Sequence, residues 1–203
     1  MGGRRRGGRV LTERPATVRQ AGPDDEPAVR RLFEAVAAEG TGIGAEAPVE
    51  WTEARLAVLA RRLSGDDDAG TLLLAEVDGE PAGWVGLDRA WHRRVDFSMV
   101  VAVSHRGRGV GGVLMDEALA WARRTGTPKL ACQVWPHNTA ALRLYLSRGM
   151  RIEGRLRRHW PRRNGEWWDS IVMGMVLDES APGSPHPDSP LLGRDGGAGA
   201  APG

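Results

Sequence analysis

Between a β-branched run ending Val101-Ala102-Val103 and an apolar helical stripe from Val113 to about Arg124 lies Ser104-His105-Arg106-Gly107-Arg108-Gly109-Val110-Gly111-Gly112. Strand, glycine-rich loop and helix in that order suit a phosphate group. Glycines let the main chain approach a ligand closely, and the unpaired N–H groups of a helix start, with the helix dipole behind them, bind phosphate oxygens. The expected ligand is a phosphate-containing cofactor. Gly107, Gly109 and Gly112 formally fit the G-x-G-x-x-G dinucleotide pattern. A dinucleotide site also needs an Asp or Glu about 20 residues on to hold the ribose hydroxyls, and no acidic residue falls between Glu117 and Glu153. A P-loop fails too, because no Gly-Lys-Ser/Thr follows the glycines. Cys132 is the only cysteine and the five histidines are scattered, so neither a disulfide nor a metal site is expected.

The elements that must position this loop follow from periodicity. A short strand is predicted at Ala16 to Gln20, then a helix with Val29, Leu32, Phe33 and Val36 in its apolar stripe and Asp24 as its N-cap. A second helix is predicted from Val49 to Leu63, with the acidic run Asp66-Asp67-Asp68 as its solvated exit. Strands at Thr71 to Val77, Ala82 to about Trp91 and Arg94 to Val103 read as an antiparallel meander, the first pair turning at Asp78-Gly79. After the glycine loop and its helix come a strand at Leu130 to Trp135, a helix led by Asn138, and a hairpin from Arg151 to Leu177 turning at Asn164-Gly165. The 203 residues suffice for one domain over 16–178. The Arg/Gly-rich 1–15 and the Pro/Gly/Ala-rich 179–203 are expected to be disordered tails.

Arg106-Gly107-Arg108-Gly109-Val110-Gly111, with Asn138, Ala141, Tyr145, Gly149 and Met150 after the next strand, resembles the GNAT superfamily of N-acetyltransferases. That family carries a Gln or Arg followed by x-x-G-x-G or x-x-G-x-A, then an Asn-led helix bearing a Tyr; Met150 stands where its usual residue is Phe. The likeness spans about Thr17 to Leu177, and the branch most similar acts on amino acids, phosphinothricin-type antibiotics and ribosomal-protein N-termini. The resemblance implies an α/β, layered α+β fold: a mixed, mostly antiparallel sheet of about six or seven strands with one splayed parallel pair, flanked by about four helices. It implies acetyl-coenzyme A as cosubstrate, lying between the strands Asp96 to Val103 and Leu130 to Trp135. Main-chain groups of Val101, Ala102 and Val103 would then pair with the pantetheine arm, and an N–H near Val101 would polarise the thioester. Arg108, Gly109, Val110, Gly111 and Gly112 would face the pyrophosphate, Arg106 would add positive charge, and Asn138 would cap its helix or meet the pantetheine. Tyr145 is then the general acid and Asp96 the base, with Asp169 or a relayed water as alternatives; His92 and His137 read as surface residues. Cys132 reads as packing rather than as a nucleophile, so transfer is expected to be direct, in a ternary complex.

Lys and Arg total 28 against 26 acidic residues, a net charge of +2 that calls for no nucleic-acid partner. The longest apolar stretches fall far short of the roughly 20 residues that span a bilayer, and no signal-peptide pattern opens the chain, so a cytoplasmic protein without a membrane partner is expected. The expected acceptor is a small-molecule primary amine, of amino-acid, antibiotic or polyamine type. A protein or peptide acetyltransferase (N-terminal or lysine) and a catalytically silent coenzyme A-binding module are the rival readings. Trp51, Trp84, Trp91, Trp160, Trp167 and Trp168 are placed around the acceptor side by the resemblance, although packing accounts for most of them. The hairpin arginines from Arg148 to Arg163 read mostly as an exposed charged face. The apolar strand of that hairpin offers a homodimer surface.

Overall fold

The computed structural model describes residues 15–90, 93–178 and 180. Apart from Pro15 and Ser180, the expected tails lie outside the described residues, as do Trp91 and His92. Strand β1 (Thr17–Gln20) leads through a 3₁₀ turn (Pro23–Asp25) into α1 (Glu26–Ala37), and α2 (Glu53–Leu63) precedes β2 (Gly70–Val77), β3 (Glu80–Arg89) and β4 (Val95–Val101). Then come α3 (Val110–Arg124), β5 (Lys129–Val134), α4 (Thr139–Ser147), β6 (Arg151–Pro161) and β7 (Trp167–Val176). The strands form one seven-stranded sheet in the order β1-β2-β3-β4-β5-β7-β6. Every neighbouring pair is antiparallel except β4 with β5. This is the mixed, mostly antiparallel layered fold that the resemblance implies.

Period-two alternation divides the core between the two faces of the sheet. Leu72, Leu74, Trp84 and Val100 pack with Val29, Leu32, Leu59 and Leu63 of α1 and α2. Leu73, Val85, Phe97, Leu130 and Cys132 point the other way, against Leu114, Met115, Ala118 of α3 and Tyr145 of α4. Leu72 and Leu74 are fully buried, each worth roughly 1.5–3 kcal/mol of transfer free energy. Among the described residues, no helix is long and apolar enough to cross a membrane.

Several boundaries move for local reasons. Asp24 does not cap α1: Pro23 opens a 3₁₀ turn instead, and it is the Asp25 carboxylate that accepts the Gly22 N–H at 2.8 Å. Helix α2 starts at Glu53, not Val49, because the Thr52 hydroxyl accepts the Arg55 N–H and caps it there. Helix α3 starts three residues early, at Val110. The acidic run after α2 is not simply solvated, since Asp67 Oδ1 accepts the indole N–H of the buried Trp121 at 2.7 Å. Asp67→Ala should therefore cost about 1–3 kcal/mol by stranding that donor. In urea unfolding the midpoint should fall at unchanged slope; an unshifted midpoint would show that the bond contributes nothing.

Candidate active site

The site begins where pairing between β4 and β5 stops. Only Val95 with Leu130 and Asp96 with Ala131 are in register, after which the strands diverge. The Ala102 N–H donates to Ala82 C=O on β3 at 2.9 Å, so by strand alternation the main-chain groups of Met99 and Val101 point away from β3, into the gap. On the other side the Leu177 N–H donates to Pro128 C=O, which by the same alternation turns the main chain of Gln133 toward the gap. The cleft between them has a volume of about 660 Å³. Two of the expected pantetheine partners fall elsewhere. Ala102 is committed to β3, and the strand ends at Val101, so that Val103 opens a 3₁₀ turn whose carbonyl accepts the Arg106 N–H.

At one mouth of the cleft stands the start of α3. Gly109 caps it with φ of +85°, a left-handed conformation that costs glycine little and other residues more. The first helical hydrogen bond runs from Val113 N–H to Gly109 C=O at 3.1 Å. The N–H groups of Val110, Gly111 and Gly112 therefore have no helical acceptor, and all three residues line the cleft. Arg106 does not reach toward them: its guanidinium grips the Glu39 carboxylate at 2.6 and 2.7 Å and the Val101 carbonyl at 3.1 Å. Arg108 sits on the exposed loop, with a bond to Ser104 C=O at 3.4 Å.

Helix α4 aims Tyr145. The Asn138 side chain accepts the Ala141 N–H at 3.2 Å and starts the helix. At the other end Met150 N–H bonds Tyr145 C=O, Gly149 N–H bonds Leu146 C=O, and Gly149 takes φ of +88°. Those paired bonds form a Schellman cap. The Tyr145 ring lies edge-on to Phe97, with centroids 5.2 Å apart, and lines the cleft. Burial, with a smaller contribution from Cys132, pushes its hydroxyl pKa well up. Beside it, burial and then the Asp96 charge push the Cys132 thiol up to about 12.

The far half of the cleft lies on the α1–α2 face of the sheet. Ser98, Gln133 and Trp135 meet the loop Thr41–Gly44 there, with Trp160, Ser170 and His137 completing the wall. Gln133 Oε1 accepts from Ser170 Oγ at 3.0 Å and from Trp160 Nε1 at 3.3 Å. His137 Nε2 is 3.1 Å from the Thr41 carbonyl oxygen, which can only accept, so Nε2 donates to it and Nδ1 is the ring nitrogen left for a ligand. Behind Trp135, Arg162 is buried: it pairs with Glu46 at 2.6 Å, donates to Gly44 and Gly40 carbonyls, and lies 4.3 Å over the Trp168 ring. Arg163 holds the Ala47 and Pro48 carbonyls in the same loop.

Asp96 is not brought to this wall. It sits on the closed stretch just before the strands part, with its carboxylate 2.7 Å from Arg94 on a half-exposed surface. Asp169 is occupied as well: the Arg158 N–H and then the Arg155 guanidinium hold its carboxyl below the usual range, supporting an irregularity in β6. Trp51 and Trp84 pack with the α1–α2 core, and Trp167 is exposed. Gln133, Trp135, Ser170 and the buried Arg162 escape sequence reading; the Trp at the end of a strand entering the site was the one available signal.

Residues 32–150, more than half of the chain, match the acetyltransferase (GNAT) family. Streptothricin acetyltransferase of Streptomyces lavendulae is 34% identical over 91 residues, 44% of this chain and 48% of that protein, so the match spans about half of that relative's length. An L-methionine sulfoximine/L-methionine sulfone acetyltransferase of Pseudomonas paraeruginosa is 27% identical over 175 residues, 82% of this chain and 99% of that protein. The crystal structure of a GNAT-family acetyltransferase from Streptococcus pneumoniae superposes with a TM-score of 0.70 at 26% identity, over 80% of this chain and all of that one. The sheet opened between its two parallel strands agrees with these matches, which make the protein an acyltransferase. The chain belongs to the acetyltransferase (GNAT) family.

With its thiol pushed up to about 12 by burial and the Asp96 charge, Cys132 stays protonated at neutral pH and is a poor nucleophile. Cys132→Ser should therefore keep most of the acetyl transfer, and intact-mass measurement under turnover should find no acetylated protein. A stable adduct on the native chain, lost in the variant, would reinstate the thiol as a nucleophile.

Proposed function

We propose that the protein moves the acetyl group of acetyl-coenzyme A to the primary amine of a small molecule, by direct attack with both substrates bound. One observation carries this reading: a single cleft joins an unpaired strand edge and helix start on one face to a walled aromatic pocket on the other. The first half fits a pantetheine arm and pyrophosphate. Extended amides can pair with the Met99 main chain and the Val101 N–H as another strand would, the Val101 carbonyl being held by Arg106, and the N–H groups of Val110, Gly111 and Gly112 suit phosphate oxygens. The second half is closed over by the loop that Arg162 and Arg163 strap to the hairpin, which favours a compact acceptor over an extended peptide.

When bound, the cosubstrate supplies an activated acetyl thioester. The amine must be neutral to attack, so its proton needs an acceptor. Glu39, the one carboxylate among the described residues of the wall, is held bidentately by Arg106. His137 Nδ1 is the group that remains, and we assign the base to it in place of Asp96. The neutral amine attacks; as the N–C bond forms and the C–S bond breaks, His137 takes the proton that leaves nitrogen, Tyr145 gives its hydroxyl proton to sulfur, and the His137 proton returns to Tyr145 through solvent. The raised pKa of Tyr145 keeps that proton in place across the working pH range.

Calorimetry should show acetyl-coenzyme A binding, and a thiol-release screen of amino acids, aminoglycosides, polyamines and short peptides should find a responsive small amine. Tyr145→Phe should lower kcat by about 10²-fold while leaving the acetyl-coenzyme A Kd within about twofold. Equal turnover would remove the hydroxyl from the mechanism. His137→Gln should lower kcat/KM by about 10²-fold while leaving the acetyl-coenzyme A Kd unchanged. An unchanged rate assigns the base elsewhere.

A further inference from the structure

We infer that the acceptor is a primary amine with an aromatic or apolar body and no carboxylate, so that free α-amino acids are excluded. This rests on the proposed acetyl transfer and narrows its substrate. The acceptor half presents two tryptophans, Trp135 and Trp160, and neutral polar groups: Ser98, Ser170 and the amide of Gln133. Gln133 Oε1 is already filled by Ser170 and Trp160, so its NH₂ is what remains to donate. Such a wall recognises aromatic faces, hydroxyls and carbonyls. It offers a carboxylate no charge partner among the described residues.

Each cation that the described residues bring near is committed elsewhere, beginning with Arg62, which lies 3.3 Å from Ser98 Oγ but pairs with the Asp88 carboxylate. Arg106 lines the cleft, but both its terminal nitrogens sit on the Glu39 carboxylate at 2.6 and 2.7 Å. Arg162 lies behind Trp135, neutralised by Glu46 at 2.6 Å and bonded to two loop carbonyls. The His137 N–H is spent on the Thr41 carbonyl, and His105 Nδ1 is engaged with Ser104 Oγ at 2.9 Å, at the phosphate end. A carboxylate carried into this half would lose its water and find no cation, a penalty that an uncharged substituent avoids. The aromatic walls meanwhile attract both an apolar body and the incoming ammonium. The acceptor class thus differs from the amino-acid derivative named for the methionine sulfoximine relatives.

Matched acceptor pairs test this: tryptamine against tryptophan, phenethylamine against phenylalanine, and methionine methyl ester against methionine, each assayed by thiol release with the full chain. The carboxylate-free member should show at least tenfold higher kcat/KM, with the difference residing in KM. Free amino acids that react as well as or better than their partners overturn the inference and leave the acetyltransferase reading standing. If acetyl-coenzyme A binds by calorimetry but neither member of any pair reacts, the small-amine reading falls, and this inference with it. Glu39→Gln supplies the second arm. By uncovering Arg106 it should shrink the amine-to-amino-acid ratio several-fold, provided that thermal unfolding shows a folded variant. A ratio that does not move in the folded variant means that the Arg106–Glu39 pair is not what excludes the carboxylate, and counts against the inference.

Discussion

Parallel pairing between β4 and β5 stops after Asp96 with Ala131, and the site depends on that stop. Beyond it each strand has another partner: β4 stays on β3 as far as Val101, and β5 stays on β7 along its whole length. Closing the gap would mean breaking one of those antiparallel ladders. The main-chain groups of Met99 and Gln133 and the Val101 N–H are thereby left facing a cleft, while Arg106 takes the Val101 carbonyl, and groups of this kind must find hydrogen-bond partners. An extended ligand with amides of its own satisfies them as a further strand would. The β4–α3–β5 crossover adds the second requirement. It sets a helix start beyond the carboxyl end of β4, the place where open parallel strands characteristically receive ligands, with Leu114, Met115 and Ala118 fully buried to hold the helix on the sheet.

Two arginine–glutamate pairs build the rest of the cleft on that opening. Arg106 with Glu39 ties the glycine loop to the end of α1, and Arg162 with Glu46 ties the hairpin tip to the connection between α1 and α2. In the second pair the arginine is buried and the glutamate partly so, and an ion pair of this kind is poor evidence of net stability, because desolvation offsets its attraction. Its geometry is more informative than its energy. The guanidinium also holds the Gly40 and Gly44 carbonyls and lies on the Trp168 ring, so one side chain settles where three segments meet. The acceptor pocket takes its shape from that junction.

What could be read in the sequence was what local chemistry determines. Asn138 and Met150 announce their helix because the cap and the Schellman bonds act within a few residues, and the glycine loop announces itself through spacing and a left-handed φ at Gly109. The meander and the final hairpin were visible through turn dipeptides and alternation. Asp96 stands outside the cleft lining because its place depends on where β5 leaves β4, which long-range pairing sets and local spacing does not. Arg162 looked like one more solvated arginine, since its partner Glu46 lies on a distant segment. His137 was set aside for the same reason: the carbonyl that orients it belongs to Thr41, 96 residues away.

The two halves of the cleft are therefore made of different material. On the proposed reading main-chain groups supply the polar contacts of the donor half, with Gly109 in a left-handed conformation at the helix start and Gly111 packed where a Cβ would press on Leu144. Side chains drawn from four separate segments build the acceptor half: Ser98 on β4, Gln133 and Trp135 at β5, Trp160 and Ser170 on the hairpin, and the loop Thr41–Gly44. A substitution in any one of these segments alters the acceptor pocket without disturbing a backbone group that faces the cosubstrate. On the proposed reading the fold can keep one acyl donor while its acceptor changes, because the ladder would recognise the donor and the side chains hung on it the acceptor. Arg162 sits where those segments are joined, behind the wall, and so governs the outline of the pocket without lining it.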